Sequence, residues 1–409
     1  MPNKQALIGF LLLTILILSS YTLLSTTELF IRFLIGLGFG YALVRASMGF
    51  AGSVNRLSRI GSAQLASALL GMFVLTAILT SFVIYGNEDA YKLNIYPINL
   101  GLILGGLMFG FGMALSSCCA TGSLTDLAGG FSRASVTILF FSIGVFFGFS
   151  YQGTASWIKT SWVTTATGAT SKGGVFLPDL FLFDGVNGYL GAIVITAIFA
   201  YLIYFLAQAY EKKVDLIPKE STSKKQSLNL FSYETLFVKP WSMKVSAILV
   251  AILFVMLLEV SHKGWSATSV FGLWFAKTLM ISGVQVEQLA QYTTRSVSFF
   301  NTPLLEHGTN LQNIGIILGT VLALLLAGTF SQKFISGLKI TRLAFLIYAF
   351  GGFIMGFGTR LSNGCNVGAL FTPIAEFSLS GWLYLIFIVA GGFAGNAFIK
   401  RFISKSCSF

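Results

Sequence analysis

The sequence predicts an all-α polytopic membrane protein, and three observations lead to that prediction. Of its 409 residues, 55% are hydrophobic and only 10% are charged, whereas a soluble domain usually carries about 25% charged residues. The apolar residues form long runs, and a run of about 20 residues is enough to cross the hydrocarbon core as a helix. Glycine occurs 44 times, and glycine is more frequent in transmembrane helices than in soluble ones.

Ten apolar segments are long enough to span a bilayer. In chain order they are residues 6–24, 29–45, 63–85, 97–116, 134–151, 186–208, 244–261, 313–331, 343–361 and 380–399. The run 6–24 is long for a secretory signal and lacks a clear cleavage site, so it is assigned as the first span. The shorter apolar pieces 117–132, 266–282 and 362–378 are expected to form half-helices or re-entrant loops.

A polar, basic, serine-rich segment, residues 209–243, separates two membrane halves, residues 1–208 and 244–409. Its lysines are Lys212, Lys213, Lys219, Lys224, Lys225 and Lys239, and Lys244 follows as the first residue of the next span. Basic loops stay on the cytoplasmic side of a membrane, so this linker is assigned to the cytoplasm. Tracing the spans outward places both termini and most of the 26 Lys and Arg residues there. The prediction is a multi-pass protein of a prokaryotic inner membrane, with the lipid bilayer as its surroundings.

A stretch of the first half recurs in the second. Residues 106–124 read GLMFGFGMALSSCCATGSL and residues 352–370 read GFIMGFGTRLSNGCNVGAL, at a constant offset and without a gap. Cys119 of the first copy corresponds to Cys365 of the second. On the predicted trace the two copies run in opposite directions, which makes them an inverted repeat with broken helices. In transporters such repeats place the substrate site near the membrane midplane.

Each of these two cysteines lies in a polar break between apolar segments. The breaks read Ser116-Ser117-Cys118-Cys119-Ala120-Thr121-Gly122 and Ser362-Asn363-Gly364-Cys365-Asn366-Val367-Gly368. Non-helical backbone at membrane depth occurs only where it is buried in protein or lines a cavity, so a cavity is predicted. A half-helix that begins after each cysteine would direct N–H groups and a positive dipole end into it, as anion sites do. Thiol and Asn amide groups add donors without a buried Lys or Arg that would hold the anion too tightly.

The cysteines differ in how strongly they point to function. A lone buried cysteine often behaves as a small packing residue, but the recurrence of Cys119 and Cys365 in two polar breaks favours a functional role. Cys118 has no counterpart in the second copy, where Gly364 stands, so both packing and contact with the path stay open for it. Cys407, close to the end of the chain, is interpreted as incidental.

Several classes of function are excluded by the sequence. Two of the four cysteines are adjacent, no Cys-x-x-Cys occurs, and the histidines, His262 and His307, lie in polar loops, so neither a disulfide framework nor a zinc site is predicted. The chain has no Gly-x-x-x-x-Gly-Lys-Ser/Thr motif for ATP. The net charge of +12 follows from the basic cytoplasmic loops. No cofactor, metal or nucleic acid is therefore expected.

Two alternatives to a transporter stay open at this point. A membrane-embedded thiol enzyme would pass sulphur or electrons through a persulfide or disulfide, and it would need a low-pKa thiolate near a cation or a helix N-terminus. The sequence places no histidine or acid–base pair beside either cysteine. A structural partner of other membrane proteins would not need two polar breaks. The favoured prediction is a transporter and not an enzyme.

Other repeat residues and basic residues have simpler interpretations. Arg360, at the outer end of its span, is expected to extend its charge to the membrane surface, although steering of anions is the other possibility. Four glycines are expected to permit close helix packing: Gly110, Gly112, Gly356 and Gly358. Three basic residues are interpreted as orientation signals: Arg45, Arg56 and Arg59.

At these motifs the sequence resembles the YeeE/YedE sulphur-transport family. The matching pieces are GGLMFGFGMALSSCCATGSL (105–124) and GFGTRLSNGCNVGALFTPIAEFSLSGW (356–382), and GLGFGYALVRASMGFAGSVNR (36–56) resembles the early element of the family. The resemblance covers most of the chain and is weakest in the central linker and in residues 283–312. It implies an hourglass of inverted repeats that takes up thiosulfate or a related small sulphur- or selenium-containing anion.

The resemblance also implies how the anion moves. Cysteines along a central path would pass it on by S–H hydrogen bonds to its sulphur, without covalent change, and Cys119 and Cys365 take two of those positions. Many members carry a third cysteine where this chain has Gly49, so Cys118, Ser47 or Met48 stays open as its substitute. A cytoplasmic sulphurtransferase-type partner is implied by analogy. The candidate path residues are Cys119, Cys365, Cys118, Ser117, Thr121, Gly122, Asn363, Gly364, Asn366, Gly368 and Gly49.

Overall fold

A computed structural model describes residues 4–214 and 233–403 of the chain. Within these residues the protein is built from helices, and ten helical segments are long and apolar enough to cross a membrane. The prediction of an all-α polytopic membrane protein is therefore confirmed. Four residues named above lie outside the described residues: Cys407 and the linker lysines Lys219, Lys224 and Lys225.

The helices follow one another through mostly short connections. In chain order they are α1 (Lys4–Leu23), α2 (Thr27–Arg45), α3 (Phe50–Ile60), α4 (Gln64–Ile84), α5 (Leu100–Ser116), α6 (Ala120–Asp126), α7 (Phe131–Thr154), α8 (Tyr189–Val214), α9 (Met243–Ser261), α10 (Ser269–Ile281), α11 (Val286–Thr293), α12 (Val297–Asn301), α13 (Gly308–Leu326), α14 (Phe330–Ser336), α15 (Arg342–Leu361), α16 (Asn366–Phe371) and α17 (Leu379–Phe398). Helix α16 continues through Thr372–Ala375, and α17 continues through Ile399–Ile403.

The ten predicted spans coincide with helices whose ends differ by a few residues. The largest extension is at α8, which continues to Val214 and so enters the predicted linker 209–243. Lys212 and Lys213 lower the hydropathy of this last turn, but basic residues in the last turn of a helix are favourable for its dipole. The helix therefore extends beyond the apolar run that identified it.

The three apolar pieces expected to form half-helices also contain helices. They hold α6 within 117–132, α10 within 266–282 and α16 within 362–378. Helix α3 was not predicted, because the polar residues Asn55, Arg56 and Arg59 interrupt its apolar pattern. It ends at Gly61, whose φ of 73° is the left-handed conformation that commonly closes a helix.

One end of the helix bundle is marked by the predicted linker, and we call it the linker end. A Cβ built on Gly61 would lie 2.9 Å from Val214, the last residue of α8, which lies within the predicted linker. Arg59 of the same short helix donates to the Asn396 side chain and to the carbonyl of Ala114 near the end of α5. The C-terminal end of α5, with the break that follows it, therefore lies at the linker end.

Arg45 has a structural role at the linker end. Its guanidinium donates to the backbone carbonyl of Lys239, and its own carbonyl accepts the N–H of Trp241 at 2.9 Å. Arg45 is buried, so its charge lies inside the protein. The arginine therefore fixes the last residues of the predicted linker against the end of α2.

Two antiparallel helices, α5 and α15, form the centre of the fold. A Cβ built on Gly112 of α5 would lie 2.5 Å from the carbonyl oxygen of Gly351, and one on Gly358 of α15 would lie 3.0 Å from that of Gly105. Backbones approach this closely only where side chains are absent. Because the helices are antiparallel, the break after α15 lies at the opposite end of the bundle, which we call the distal end.

The outer glycines of the repeat pack against flanking helices. A Cβ on Gly110 would lie 2.1 Å from the carbonyl oxygen of Ile388 in α17, and one on Gly356 would lie 2.2 Å from that of Phe141 in α7. Each central helix therefore contacts its antiparallel partner with one glycine and a flanking helix with another. The expectation that these glycines permit close packing is confirmed.

The distal break is fixed to the connection between α4 and α5. Glu376, between α16 and α17, is fully buried and accepts hydrogen bonds from the backbone and side chain of Asn94. The Asn94 side-chain oxygen in turn accepts hydrogen bonds from Lys172 Nζ at 2.6 Å and from the Tyr96 hydroxyl at 2.9 Å. Burial raises the pKa of Glu376 to about 7, although the Asn94 hydrogen bonds and Lys172 oppose that rise.

Replacing Gly112 with alanine is expected to lower the melting temperature of the detergent-purified protein. The new Cβ overpacks the contact between α5 and α15, and overpacking typically costs about 1–3 kcal/mol. Gly71→Ala is the matched control, because a Cβ on Gly71 of α4 meets nothing within 4 Å and alanine is the better helix former. A Gly112→Ala protein as stable as the wild type would show that the two central helices separate without cost.

Glu376 is expected to make stability depend on pH. Its folded pKa of about 7 exceeds the ordinary value of 4.5, so between these values the folded state binds the proton more tightly than the unfolded state. Its contribution to stability therefore falls as the pH rises from 4.5 to 7 and is constant above. The melting temperature of Glu376→Gln minus that of the wild type should rise across this window.

The control for that pH series is Glu287→Gln, at an exposed position of α11. It reports the effect of removing a glutamate charge from the surface. A Glu376→Gln difference that does not change between pH 4.5 and 8, or that changes as the control does, would contradict the assignment of the titration to Glu376.

Candidate functional site

The two breaks have the same local structure. Ser116 Oγ donates to the carbonyls of Gly112 and Cys118, and Ser362 Oγ donates in the same way to those of Gly358 and Gly364. The residue that follows each serine has a positive φ, 56° at Ser117 and 63° at Asn363. Each serine thus caps the end of its central helix, and the left-handed residue turns the chain toward the cysteine.

A helix begins directly after each cysteine, as the sequence predicts. Cys119 precedes α6, and its Sγ accepts the N–H of Gly122 at 3.3 Å and lies 3.8 Å from Thr121 Oγ1. The N–H of Ala51, in the first turn of α3, faces the same sulphur. The sulphur of Cys119 is thus surrounded by backbone donors from two helix starts.

The second break leaves less space than the first at the position before its cysteine. Cys365 precedes α16, and the N–H groups of Val367 and Gly368 lie near its sulphur without forming a cap hydrogen bond. A Cβ on Gly364 would lie 2.6 Å from the backbone nitrogen of Ala369, whereas a Cβ on Gly368 would meet nothing within 4 Å. The close contact explains why the second copy has glycine at the position that Cys118 occupies in the first.

A cavity of about 360 Å³ lies at the linker-end break. It brings the early element of the chain together with the first break, although the two are far apart in sequence. Of the candidate path residues, those that line the cavity are Gly49, Ser117, Cys118, Cys119, Thr121 and Gly122. The remaining candidates belong to the distal break: Asn363, Gly364, Cys365, Asn366 and Gly368.

Gly49 has free space around it in this cavity. Its φ of −120° and ψ of 136° suit any residue, and a Cβ built there meets no atom within 4 Å. Ser47 and Met48 line the same cavity, as does Cys118. All three residues that the sequence left open as substitutes for a third cysteine are therefore in place to contact whatever enters.

Charged side chains at the mouth of the cavity are largely neutralised. Arg133 Nη2 lies 2.5 Å from Asp126 Oδ2, and both residues line the cavity with Lys333. The paired charges leave Lys333 as the lining cation that has no carboxylate within 4 Å among the described residues. The linker-end cavity is thus polar but carries only a small excess of positive charge.

The asparagines of the distal break have different surroundings. Asn363 is partly exposed, and its Oδ1 accepts a hydrogen bond from Gln152 Nε2 at 2.7 Å. Asn366 is buried, its Nδ2 lies 3.3 Å from Met113 Sδ, and its Oδ1 has no partner among the described residues. Asn366 also lines an apolar cavity of about 340 Å³. One asparagine therefore faces the distal surface and the other faces the interior.

The two thiols belong to the same packed core of the protein. Cys119 is 1% exposed and Cys365 is 0% exposed. Both sulphur atoms are therefore shielded from solvent in this conformation.

Tyr384 is a polar residue of this region that the sequence did not indicate. Its ring packs against Gly106, and its hydroxyl is buried without a partner among the described residues. It is near enough to interact electrostatically with both Cys119 and Cys365. The only sequence signal is a tyrosine in the middle of an apolar span, which is also what lipid-facing and packing aromatics look like.

The position of Arg360 differs from the one that the sequence predicted. We expected it to extend to the membrane surface, but it is 3% exposed, with its guanidinium over the ring of Phe149. A Cβ on Gly148 of α7 would lie 2.7 Å from the Arg360 side chain. The glycine leaves room for the arginine between the helices, which is why the charge does not reach lipid.

Comparisons with known proteins identify the family of this chain. The profile of a family described as sulphur transport matches residues 45–394. The thiosulfate transporter TsuA of Spirochaeta thermophila is 27% identical over 367 residues, which cover 88% of this chain and 95% of that protein. The protein named probable transporter YedE of Salmonella typhimurium is 28% identical over 165 residues, 40% of this chain and 39% of that protein. The family match includes residues 45–56 of the early element and both breaks, so the resemblance found in the sequence is confirmed.

The open position at Gly49 predicts that a side chain is tolerated there. Gly49→Cys should purify as a monodisperse protein with a melting temperature within a few degrees of the wild type. Gly364→Ala is the contrasting variant, because its Cβ would overlap the backbone of α16, and it should lose about 1–3 kcal/mol of stability. Size-exclusion chromatography and thermal unfolding measure both. Equal behaviour of the two variants would contradict the difference in space around them.

Proposed function

This chain belongs to the sulphur transport family, and from that premise we propose that it carries thiosulfate, or a closely related sulphur-containing anion, across the inner membrane along a path between Cys119 and Cys365. Membership of a transport family makes the protein a transporter and not an enzyme. The observation that carries the proposal is the placement of two buried thiols, from breaks at opposite ends of an antiparallel helix pair, in one packed core. The relative that is matched over most of both chains is named a thiosulfate transporter.

The proposed path has the symmetry of an inverted repeat. Two contacts support this arrangement, because Gly112 meets Gly351 and the corresponding residues of the other copy, Gly358 and Gly105, meet in the same way. Such reciprocal contacts arise when two copies are related by a two-fold axis in the membrane plane. The shared hydrogen bonds of Ser116 and Ser362 support the same relation. In this proposal residues 1–208 and 244–409 form the two halves and 209–243 joins them.

The proposed orientation has the linker end in the cytoplasm. The basic residues of the linker support it, since cytoplasmic loops are rich in Lys and Arg. Both ends of the described chain lie on that side if each of the ten segments crosses once. The cavity beside Cys119 would then open toward the cytoplasm and the Cys365 break toward the periplasm.

The proposed mechanism is a relay of weak hydrogen bonds. An anion at the distal break would meet the Cys365 thiol, and one in the linker-end cavity would meet Cys119 and the N–H groups of α6 and α3. Thiols are weak donors, so each step holds the anion without trapping it. Because both thiols are buried, passage requires side chains between them to move, and Tyr384 is placed to donate a hydrogen bond during that movement.

Two features favour a non-covalent relay over sulphur transfer by the thiols. No histidine is among the residues that line the 360 Å³ cavity, and its carboxylate, Asp126, is engaged by Arg133. A persulfide or disulfide mechanism needs a base to form the thiolate. A cytoplasmic sulphurtransferase-type protein is the proposed acceptor of the transported anion, and family analogy alone supports that partner.

The central test is uptake of ³⁵S-labelled thiosulfate into proteoliposomes. Cys119→Ala and Cys365→Ala should each reduce the initial rate about fivefold or more, because each removes a hydrogen bond worth about 1 kcal/mol along the path. Cys118→Ala is the matched control, since it removes a neighbouring thiol that also lines the cavity. It shows whether uptake needs the repeated cysteines in particular or any thiol in this cavity.

The outcomes separate the substrate from the path. Normal uptake by both single variants would contradict the cysteine path. Wild-type protein that takes up no thiosulfate, while folded and reconstituted, would contradict thiosulfate as the substrate. Trapping of a persulfide on Cys119 or Cys365 during turnover would contradict the non-covalent mechanism. Competition by excess unlabelled sulfate measures whether the terminal sulphur of thiosulfate is recognised.

A further inference from the structure

Two arginines lie together at the distal end without a carboxylate partner. Arg360 donates through Nε to the Thr359 hydroxyl at 3.1 Å and through Nη2 to the Thr268 hydroxyl. Arg295, in the connection after α11, donates through Nη2 to Gln152 Oε1 at 2.7 Å. Neither guanidinium forms an ion pair among the described residues.

The two guanidinium groups share one aromatic ring. The Arg295 Cζ lies 4.6 Å and the Arg360 Cζ 5.3 Å from the centre of the Phe149 ring. The two cations are therefore no further apart than the sum of these distances, and they repel each other. Cation–π contact with a single ring offsets only part of that repulsion.

A chain of hydrogen bonds connects this pair to the distal cysteine break. Gln152 accepts from Arg295 and donates from Nε2 to Asn363 Oδ1 at 2.7 Å. Asn363 precedes Cys365 by two residues, and Arg360 is near enough to Cys365 to interact with it electrostatically. Gln152, Arg295 and Asn363 are partly exposed. Arg295 is thus reachable from the distal surface, whereas Arg360 is buried.

Elsewhere in the described chain, Arg45 and Arg59 each donate to carbonyl or amide oxygens without a carboxylate partner, and two other partly buried arginines form ion pairs. Arg32 is paired with Glu28 at 3.0 Å, and Arg133 at the linker end is paired with Asp126. An ionised side chain within a membrane protein is costly unless it is paired. Two neighbouring cations without a counter-charge are therefore best explained by an anion that binds there during the working cycle.

We propose that Arg295 and Arg360 form a distal anion site that selects a divalent tetrahedral oxyanion and delivers it to Cys365. This inference rests on the proposed function and adds the residues that set charge selectivity. Guanidinium groups bind oxyanions through strong, charge-assisted hydrogen bonds, so the oxygens of a thiosulfate-like anion face the arginines and its terminal sulphur is left for the thiol. The paired arginine at the linker end leaves a weaker site there, which favours release on that side.

The test compares the concentration dependence of thiosulfate uptake among variants in proteoliposomes. Arg295→Gln should raise the half-saturating concentration at least tenfold with little change in the maximal rate, and Arg295→Lys should restore most of the affinity. Arg32→Gln is the matched control, because it removes a distal-end arginine whose charge is already paired. Arg360→Gln is predicted to behave as Arg295→Gln if it folds, and Arg295, which is partly exposed, is the variant on which the test depends.

Anion-dependent stabilisation gives a second measurement that needs no transport. Thiosulfate and sulfate should raise the melting temperature of the detergent-solubilised wild type and of Cys365→Ala, but not that of Arg295→Gln. Chloride at equal ionic strength should have no such effect. Stabilisation that is the same in Arg295→Gln and in the wild type, or that no divalent anion produces, would overturn the distal site.

The experiments distinguish failure of the arginine site from failure of the proposed function. Loss of uptake in the cysteine variants with an unchanged half-saturating concentration in Arg295→Gln would leave the proposed function standing and remove the arginine site. Arginine-dependent stabilisation by sulfate or thiosulfate in a wild type that takes up no thiosulfate would keep the site and remove thiosulfate as the transported anion.

Discussion

The close approach of α5 and α15 is the constraint on which the rest of the structure depends. At Gly112 and Gly358 the two backbones are in contact, with no room for a Cβ. Because the helices are antiparallel, each central helix ends at the opposite end of the bundle from the other. The polar breaks that follow them must therefore enter the protein from opposite ends, and their cysteines are both buried in one packed core.

The two breaks share one local structure at the ends of the central helices. Ser116 and Ser362 close the central helices with matching hydrogen bonds, and the following left-handed residue reverses the chain. A short helix then begins after each cysteine, and the first of these helices donates the N–H of Gly122 to the Cys119 sulphur. In the proposed relay the thiols are weak donors, which hold an anion without trapping it. The proposed arginine site adds stronger donors at the distal end of the path.

Much of this arrangement could be predicted from the sequence, because hydropathy and polar interruptions report directly on the membrane. The ten spans and the short helices around the cysteines were predicted, as was the packing role of the repeat glycines. Helix α3 was missed, because an amphipathic helix of 11 residues does not stand out as an apolar run. The predicted surface position of Arg360 was wrong. The prediction was made because Arg360 lies near the end of a span. Its burial depends on Gly148 and Phe149, which belong to another helix.

The sequence by itself determined the class of protein, the span pattern and the two cysteine breaks, since these follow from composition and from local order along the chain. Only the tertiary structure decided which residues meet. It placed Gly49, Ser47 and Met48 in the cavity of Cys119, brought Tyr384 near both thiols and put Arg295 and Arg360 over one aromatic ring. The physical reason is that hydropathy specifies how deep a residue lies in the membrane, whereas the rotation and contacts of each helix are set by side-chain packing between segments far apart in sequence.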